Sequence, residues 1–185
     1  GNLGYNDGTY PQTGFWPYEN MVADRFNSGS SPDERGNLIT PVSETRVIGA
    51  WTSIQVTGGD WDIILYDSDG TTALEIIEVD EDLESTDTGT GTYVYLIYFN
   101  TLRTLAAGSS YRIVARPGAS NVDLDQVTVD ASAYFGGVLG GNTNVQSTSR
   151  TNAGSWTQNA SQRSCIGLIT SGLPVGSARR LWRSY

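Results

Sequence analysis

The residues best suited to chemistry lie in a short acidic segment, residues 67–71, which reads DSDGT. Asp67 and Asp69 supply carboxylate oxygens at alternate positions, and Gly70 allows a sharp bend, a combination found in calcium sites. An EF-hand loop needs further ligands at fixed offsets, which this segment lacks. Asp-Gly between two strand-like segments also predicts a hairpin turn. Asp67 and Asp69 are therefore the candidate metal ligands, with calcium as the only cofactor considered, although the turn is favoured.

A denser acidic segment, DEDLESTD, spans residues 80–87. Carboxylates at this density repel one another unless water or a cation separates them. Most runs of this kind are solvated loops between strands. Calcium binding is the alternative for this loop as well.

Carboxylates are also the only catalytic groups that the chain offers in number, because it has no histidine and one cysteine. Without histidine it lacks the usual general base and the commonest zinc ligand. Cys165, in the strand-like segment SCIGLIT, is interpreted as a small buried hydrophobe. Asp60 and Asp62, which flank Trp61, are the candidate pair for a glycosidase. Two carboxylates on one short strand are more often solvated turn residues, so we predict that the protein is not an enzyme.

Aromatic side chains form the second kind of candidate site, because flat rings stack on sugars and their polar tips bond hydroxyl groups. The candidate ligand-binding residues are Trp156, Trp61 and Tyr66. Trp156 has the best prospect of exposure, since its surroundings, RTNAGSWTQNASQR, are polar. The alternative is that large aromatic residues fill the core, as they commonly do in sandwiches. A carbohydrate-binding module, with or without calcium, is therefore the second functional hypothesis.

The overall charge narrows the class of partner. The chain has 11 basic residues, all of them arginine, and 20 acidic residues, which gives a net charge of −9. Nucleic-acid binding needs a cationic surface that most of this chain lacks, so we predict protein or glycan partners instead. No apolar run reaches the length of a membrane span.

Strand-like segments that would position these residues follow one another from residue 21, with turn signals roughly every 8 to 15 residues. WDIILYD and ALEIIEVD flank the Asp-Gly turn and predict a hairpin. GTYVYLIYF is apolar on both faces, which predicts a central strand covered on both sides. NSGSSPDERGN is expected to be a loop. Helical periodicity is absent, so residues 21–172 are predicted to form an all-β, antiparallel, two-sheet jelly-roll-like β-sandwich of about eight to ten strands.

The two ends of the chain differ in composition from this domain. Residues 1–20 are rich in Gly, Asn and Pro, and they carry the aromatic residues Tyr5, Tyr10, Phe15, Trp16 and Tyr18. Residues 173–185 form a tail that contains Arg179, Arg180, Trp182 and Arg183. Each end either folds onto its own domain or docks on a neighbouring subunit, in the tail's case by Arg–carboxylate contacts. These nine residues are the candidate interaction residues.

Three stretches together resemble a β-sandwich module found in structural and accessory proteins of tailed phages and in environmental bacterial surface proteins: GDWDIILYDSDGTTAL, TLAAGSSYRIVARP and STSRTNAGSWTQNASQRSCIGLITSG. The resemblance covers about residues 46–172, and none of its motifs is catalytic. It implies a decoration, fibre or capsid-associated protein on a virion or an extracellular surface. The implied partners are other copies of the chain or other proteins of the particle.

A structural module that assembles through its ends makes a testable prediction. Removal of residues 1–18 or of residues 179–185 should weaken assembly, while the sandwich stays folded because its core lies elsewhere. Light scattering reports the mass of each truncated protein, and far-UV circular dichroism reports its fold. Normal assembly of both truncated proteins would exclude a role for the arms.

Overall fold

The computed structural model describes residues 21–26, 32–56, 59–80, 93–118, 122–128 and 145–171. These residues form twelve strands and no helix. The strands are β1 (Met21–Phe26), β2 (Glu34–Ile39), β3 (Thr45–Val56), β4 (Trp61–Tyr66), β5 (Ala73–Val79), β6 (Tyr93–Leu105), β7 (Tyr111–Pro117), β8 (Val122–Thr128), β9 (Val145–Arg150), β10 (Thr157–Asn159), β11 (Gln162–Ser164) and β12 (Ile166–Thr170). In the described part, then, no helix could cross a membrane.

The strands form two six-stranded sheets that pack face to face, which confirms the predicted antiparallel β-sandwich. Sheet A contains β1, β3, β6, β8, β11 and β12, and sheet B contains β2, β4, β5, β7, β9 and β10. The first eight strands pair as β1 with β8, β2 with β7, β3 with β6 and β4 with β5. This nested pairing is jelly-roll connectivity.

The last four strands extend both sheets. β9 pairs with β2 in sheet B, and β10 forms a hairpin with β9. β11 pairs with β8 and β12 pairs with β3 in sheet A. The described part therefore has more strands than the eight to ten predicted. The extra strands include β10 and β11, which have three residues each and are strands because their backbone groups pair with β9 and β8.

Two features of the structure differ from the prediction: the start of β2 and the position of β6 in its sheet. β2 begins at Glu34, inside the segment predicted to be a loop, because Glu34 and Asn37 gain side-chain partners in the sandwich. Within the described part, β6 pairs with β3 alone and so lies at the edge of sheet A, and its outer side chains are exposed where the sequence predicted a covered face. The hairpin of β4 and β5 is confirmed.

The core lies between the sheets, and it is apolar because alternate residues of each strand point inward. Its largest fully buried side chains are Trp61, Phe26, Ile39, Ile54, Ile63, Leu65, Leu105, Ile113, Leu124 and Ile166. Trp61 is 1% exposed and meets the ring of Tyr95 edge to face, with centroids 5.5 Å apart. This pair spans the sandwich from sheet B to sheet A.

Cys165 joins β11 to β12 and bridges two strands of sheet A through its backbone. Its N–H donates to the carbonyl of Asp125 on β8, and its carbonyl accepts from the N–H of Ser53 on β3. The side chain is buried with Trp51 and Ile169, which confirms the prediction of a small buried hydrophobe. Burial, with a smaller contribution from the Asp125 charge, raises the pKa of the thiol to about 12.

One buried polar side chain, Asn37 on β2, connects the two sheets. Its Nδ2 donates to the carbonyls of Ser164 and Ile166, both at 2.7 Å, and its Oδ1 accepts from the Ser164 N–H at 3.0 Å. Buried backbone groups need such partners, because an unpaired one loses its bonds to water without compensation. Asn37 therefore fixes the β11–β12 segment of sheet A onto sheet B.

The Asn37→Ala variant tests this connection. It leaves three backbone groups of β11 and β12 without their partner, so we expect a loss of about 3 kcal/mol in the free energy of unfolding. Urea denaturation measures the loss. Asn100→Ala is the matched control, because Asn100 is exposed on β6, and this change should cost roughly 0.5 kcal/mol or less. An equal effect of the two substitutions would contradict the role of Asn37.

Candidate functional site

The residues that face away from the core on sheet B form a polar and aromatic cluster. On β4 and β7 the buried members are Ile64, Tyr66 and Val114, and Trp156 packs against them. Trp156 comes from the loop between β9 and β10 and is half-buried. We call this surface the sheet B outer cluster. It contains two of the three predicted ligand-binding residues, Tyr66 and Trp156.

A buried ion pair lies at the centre of the sheet B outer cluster. The register of β2 and β9 places Glu34 directly opposite Arg150. Arg150 Nε donates to Glu34 Oε2 at 2.8 Å, and Arg150 Nη2 donates to Glu34 Oε1 at 3.0 Å. Glu34 is 1% exposed, so its charge depends on this two-point contact. The sequence predicts a loop for the segment that contains Glu34, and no local pattern pairs this residue with Arg150.

The hydroxyl group of Tyr66 completes this network. It donates to Glu34 Oε1 at 3.0 Å and accepts from Arg150 Nη2 at 3.0 Å. Burial, followed by the charge of Glu34, raises the pKa of Tyr66 to about 12. Tyr66 is therefore a neutral hydrogen-bond donor at ordinary pH, and its hydroxyl group is already occupied within the protein.

A second ion pair lies beside the first. Arg116 on β7 is opposite Asp62 on β4 and donates to Asp62 Oδ2 from Nη2 at 2.7 Å and from Nε at 3.0 Å. Arg116 Nη1 is also 3.8 Å from Glu34 Oε1. Asp62, one of the two carboxylates considered for a glycosidase, thus has a structural partner. Asp60 is exposed, and its backbone carbonyl accepts from the N–H of Gly118.

Trp156 connects the β9–β10 loop to the β4–β5 turn. Its Nε1–H donates to the carbonyl of Gly70 at 2.9 Å, and its ring meets Tyr66 edge to face with centroids 5.7 Å apart. The guanidinium carbons of Arg112 and Arg150 lie 5.1 Å and 4.5 Å from the ring centroid. Such contacts stabilise a cation over the electron-rich face of the ring. Stacking of Trp156 on a sugar would have to compete with these arginines.

The two candidate metal ligands close the turn that Trp156 contacts. Asp69 Oδ1 accepts from the N–H groups of Thr71 and Thr72 at 2.8 Å, and Asp69 Oδ2 accepts from the Thr72 hydroxyl at 2.5 Å. These bonds, led by those from Thr72, lower the pKa of Asp69 to about 2. Asp67 Oδ1 accepts from the Ser68 N–H at 2.6 Å. Across the described ranges, no three His, Cys, Asp or Glu side chains come together in a way that could hold a metal ion.

The remaining predicted site residues lie elsewhere. Trp61 points from β4 into the core, whereas Tyr66 points to the outer face. Side chains alternate between the two faces along a strand, so residues an odd number of positions apart lie on opposite faces. Trp61 therefore has no surface to offer a ligand. The nine candidate interaction residues belong to residues 1–20 and 173–185, which lie outside the described residues. Residues 81–87 of the second acidic segment do as well.

A second candidate surface lies on the outer face of β6, at the edge of sheet A. Four apolar side chains are exposed there, with fractions of 49% for Val94, 59% for Leu96, 64% for Tyr98 and 51% for Leu102. We call these four residues the β6 stripe. The sequence predicts a central strand here because both faces are apolar, but residue type cannot reveal whether an apolar face is covered.

The β6 stripe carries no free charge. Arg103 is the only charged residue of β6, and its Nε and Nη2 both lie 2.8 Å from Glu75 Oε1 on β5. Glu75 is buried, so this ion pair closes the side of the sandwich where the two edge strands meet. Edge strands usually carry charged residues that prevent pairing with other chains. The outer face of β6 lacks that protection.

Comparison with known proteins adds no family to this description. No protein-family model matches the chain, and no curated protein matches it. The resemblance to modules of phages and bacterial surfaces therefore stays a prediction.

Replacement of Glu34 by glutamine tests the central ion pair. The Glu34→Gln variant would keep the shape of the side chain but leave Arg150 without a countercharge, so we expect a loss of about 3 kcal/mol in the free energy of unfolding. Denaturation in urea measures it. Glu44→Gln removes the same charge from an exposed position and should change stability by roughly 0.5 kcal/mol or less. If the two variants are equally stable, the pair does not stabilise the fold.

Proposed function

We propose that the protein is a non-enzymatic structural module that assembles with a second copy of itself through the edge strand β6. The observation that supports this proposal most directly is the exposed apolar β6 stripe on an edge strand of 13 residues. The proposed setting is a virion or an extracellular surface, as the resemblance implies. Contacts made by the two ends of the chain would add to those of β6.

Association is favoured by the amount of apolar surface that β6 leaves in water. Contiguous exposed apolar patches on single-chain proteins usually mark a contact with another molecule. The edge also presents backbone groups that can pair with a strand from another chain. A partner strand would bury the apolar side chains and supply hydrogen bonds in one step. Both effects are available at β6 because the described part of the chain pairs it on one side alone.

A second copy is the partner that the charges favour. Two copies, each with a net charge of −9, repel each other over most of their surfaces. The β6 stripe is uncharged, so the copies can approach there at the lowest electrostatic cost. Two identical strands can also pair in antiparallel fashion about a two-fold axis, which gives a closed dimer interface.

The buried carboxylates of the described part support a structural use of the acidic residues. Glu34 and Glu75 bind Arg150 and Arg103, as described above. Asp123 accepts from Arg25 Nε at 2.8 Å and from Nη2 at 2.7 Å, and Asp125 accepts from the Ser53 hydroxyl at 2.8 Å. Each of these carboxylates stabilises a contact between strands, and a catalytic carboxylate would instead need access to a substrate.

The Leu96→Lys variant tests the proposal. Lysine on an edge strand prevents pairing, so this variant should be monomeric where the original protein is dimeric. Sedimentation equilibrium across a range of concentrations measures the mass of each. The fold should be unaffected, because residue 96 points to solvent.

Ile76→Lys is the matched control. Ile76 is 49% exposed on β5, the other edge strand at this side, but it faces outward from sheet B. This variant should associate as the original protein does. A monomeric original protein at the highest concentration reached, or an unchanged mass for Leu96→Lys, would overturn the proposal. If removal of residues 1–18 or 179–185 abolished association while Leu96→Lys did not, the arms and not β6 would carry it.

A further inference from the structure

Arg112 holds a distinct position in the sheet B outer cluster. It lies on the outer face of β7, opposite Tyr66 on β4 and Leu38 on β2. Its guanidinium group reaches over the ring of Trp156 and lies beside the β4–β5 turn. A Cβ atom placed on Gly70 would be 2.6 Å from Arg112 Nη1. Gly70, which also has a positive φ of 71°, therefore leaves the space that this guanidinium occupies.

The charge of Arg112 has no counterpart among the described residues. Arg150 binds Glu34 and Arg116 binds Asp62, whereas no carboxylate in the described part makes an ion pair with Arg112. Arg112 is thus a cation without a carboxylate partner in the described part, on a protein whose net charge is −9.

One donor of Arg112 is also unsatisfied within the described part. Its Nε is buried and has no hydrogen-bond partner. A buried donor without a partner is costly, and most native proteins avoid it. The ring of Trp156 attracts the charge of Arg112 but accepts no conventional hydrogen bond from it. Burial, followed by the charge of Arg150, lowers the pKa of Arg112, so this surface favours the arrival of an anion.

We infer that Arg112 is the centre of a binding site for the carboxylate group of a small ligand. The planar fork of a guanidinium group matches the two oxygens of a carboxylate. Such a ligand would supply a countercharge for Arg112 and hydrogen-bond acceptors for its guanidinium group. The half-buried ring of Trp156 would contact the carbon atoms next to the carboxylate. The carboxylate can come from a simple organic acid or from an acidic sugar, which share this chemistry.

Titration of the protein with acetate, glucuronate and glucose at constant ionic strength tests this site. The signals to follow by nuclear magnetic resonance are the Arg112 Nε–H and the Trp156 indole N–H. Acetate and glucuronate should shift both signals in a saturable way, with a Kd on the order of 10 mM for acetate. Tighter binding of glucuronate would identify the acidic sugar as the preferred source, and equal binding would identify the carboxylate alone as sufficient. A glucose effect equal to that of glucuronate, or no shift with any of the three, would overturn the inference.

Variants at Arg112 provide the second test. Arg112→Gln should weaken acetate binding at least about tenfold, as the Trp156 signal reports, because it removes the charge and the fork. Arg112→Lys keeps the charge but loses the fork, so its binding should be intermediate. Arg46→Gln, at an exposed position on β3, is the matched control and should bind as the original protein does. Unchanged binding in a folded Arg112→Gln or Arg112→Lys protein would contradict the inference. The mass of the protein should not change in any of these experiments, which separates them from the test of β6.

Discussion

The bonds that Asn37 makes across the interior are the constraint on which the rest of the structure depends. The first eight strands pair with one another as in a jelly roll. Four further strands, β9 to β12, are added to both sheets, and each must pair in a defined register. Asn37 binds the backbone of β11 and β12 from the opposite sheet, where water cannot replace it. The position of β11 and β12 is therefore set by a buried polar side chain as well as by apolar packing.

The outer face of sheet B depends on β9, another of the four added strands. β9 carries Arg150, which neutralises Glu34, and the loop that follows carries Trp156. Without β9, Glu34 would be a buried carboxylate that lacks its two-point contact, and Tyr66 would lose a hydrogen bond. β9 and the loop that follows it thus place an arginine and a tryptophan on the outer face of sheet B, beside Glu34 and Tyr66. Arg112 is the one arginine of the sheet B outer cluster for which the described residues provide no carboxylate.

The two outer surfaces meet different physical requirements. On sheet B, arginine side chains cover the rings of Tyr66 and Trp156, so little apolar surface is left open. On β6, the apolar side chains remain in water and the only charge is bound to Glu75. Ligand binding suits the first surface, because directional donors recognise an anion. Association with a second copy suits the second, because apolar burial and strand pairing need no charge.

The sequence by itself determined the fold class, the hairpin at Asp67–Gly70 and the burial of Cys165, because these follow from local alternation, turn residues and side-chain type. Only the tertiary structure decided that β6 has an exposed apolar face, that Trp61 faces the core and that Glu34 binds Arg150. The last two residues are 116 positions apart in the chain, and their attraction exists only once β2 and β9 are neighbours in register. Alternation shows which residues share a face of a strand. What covers that face is decided by the strands and loops that pack against it, and no local segment contains that information.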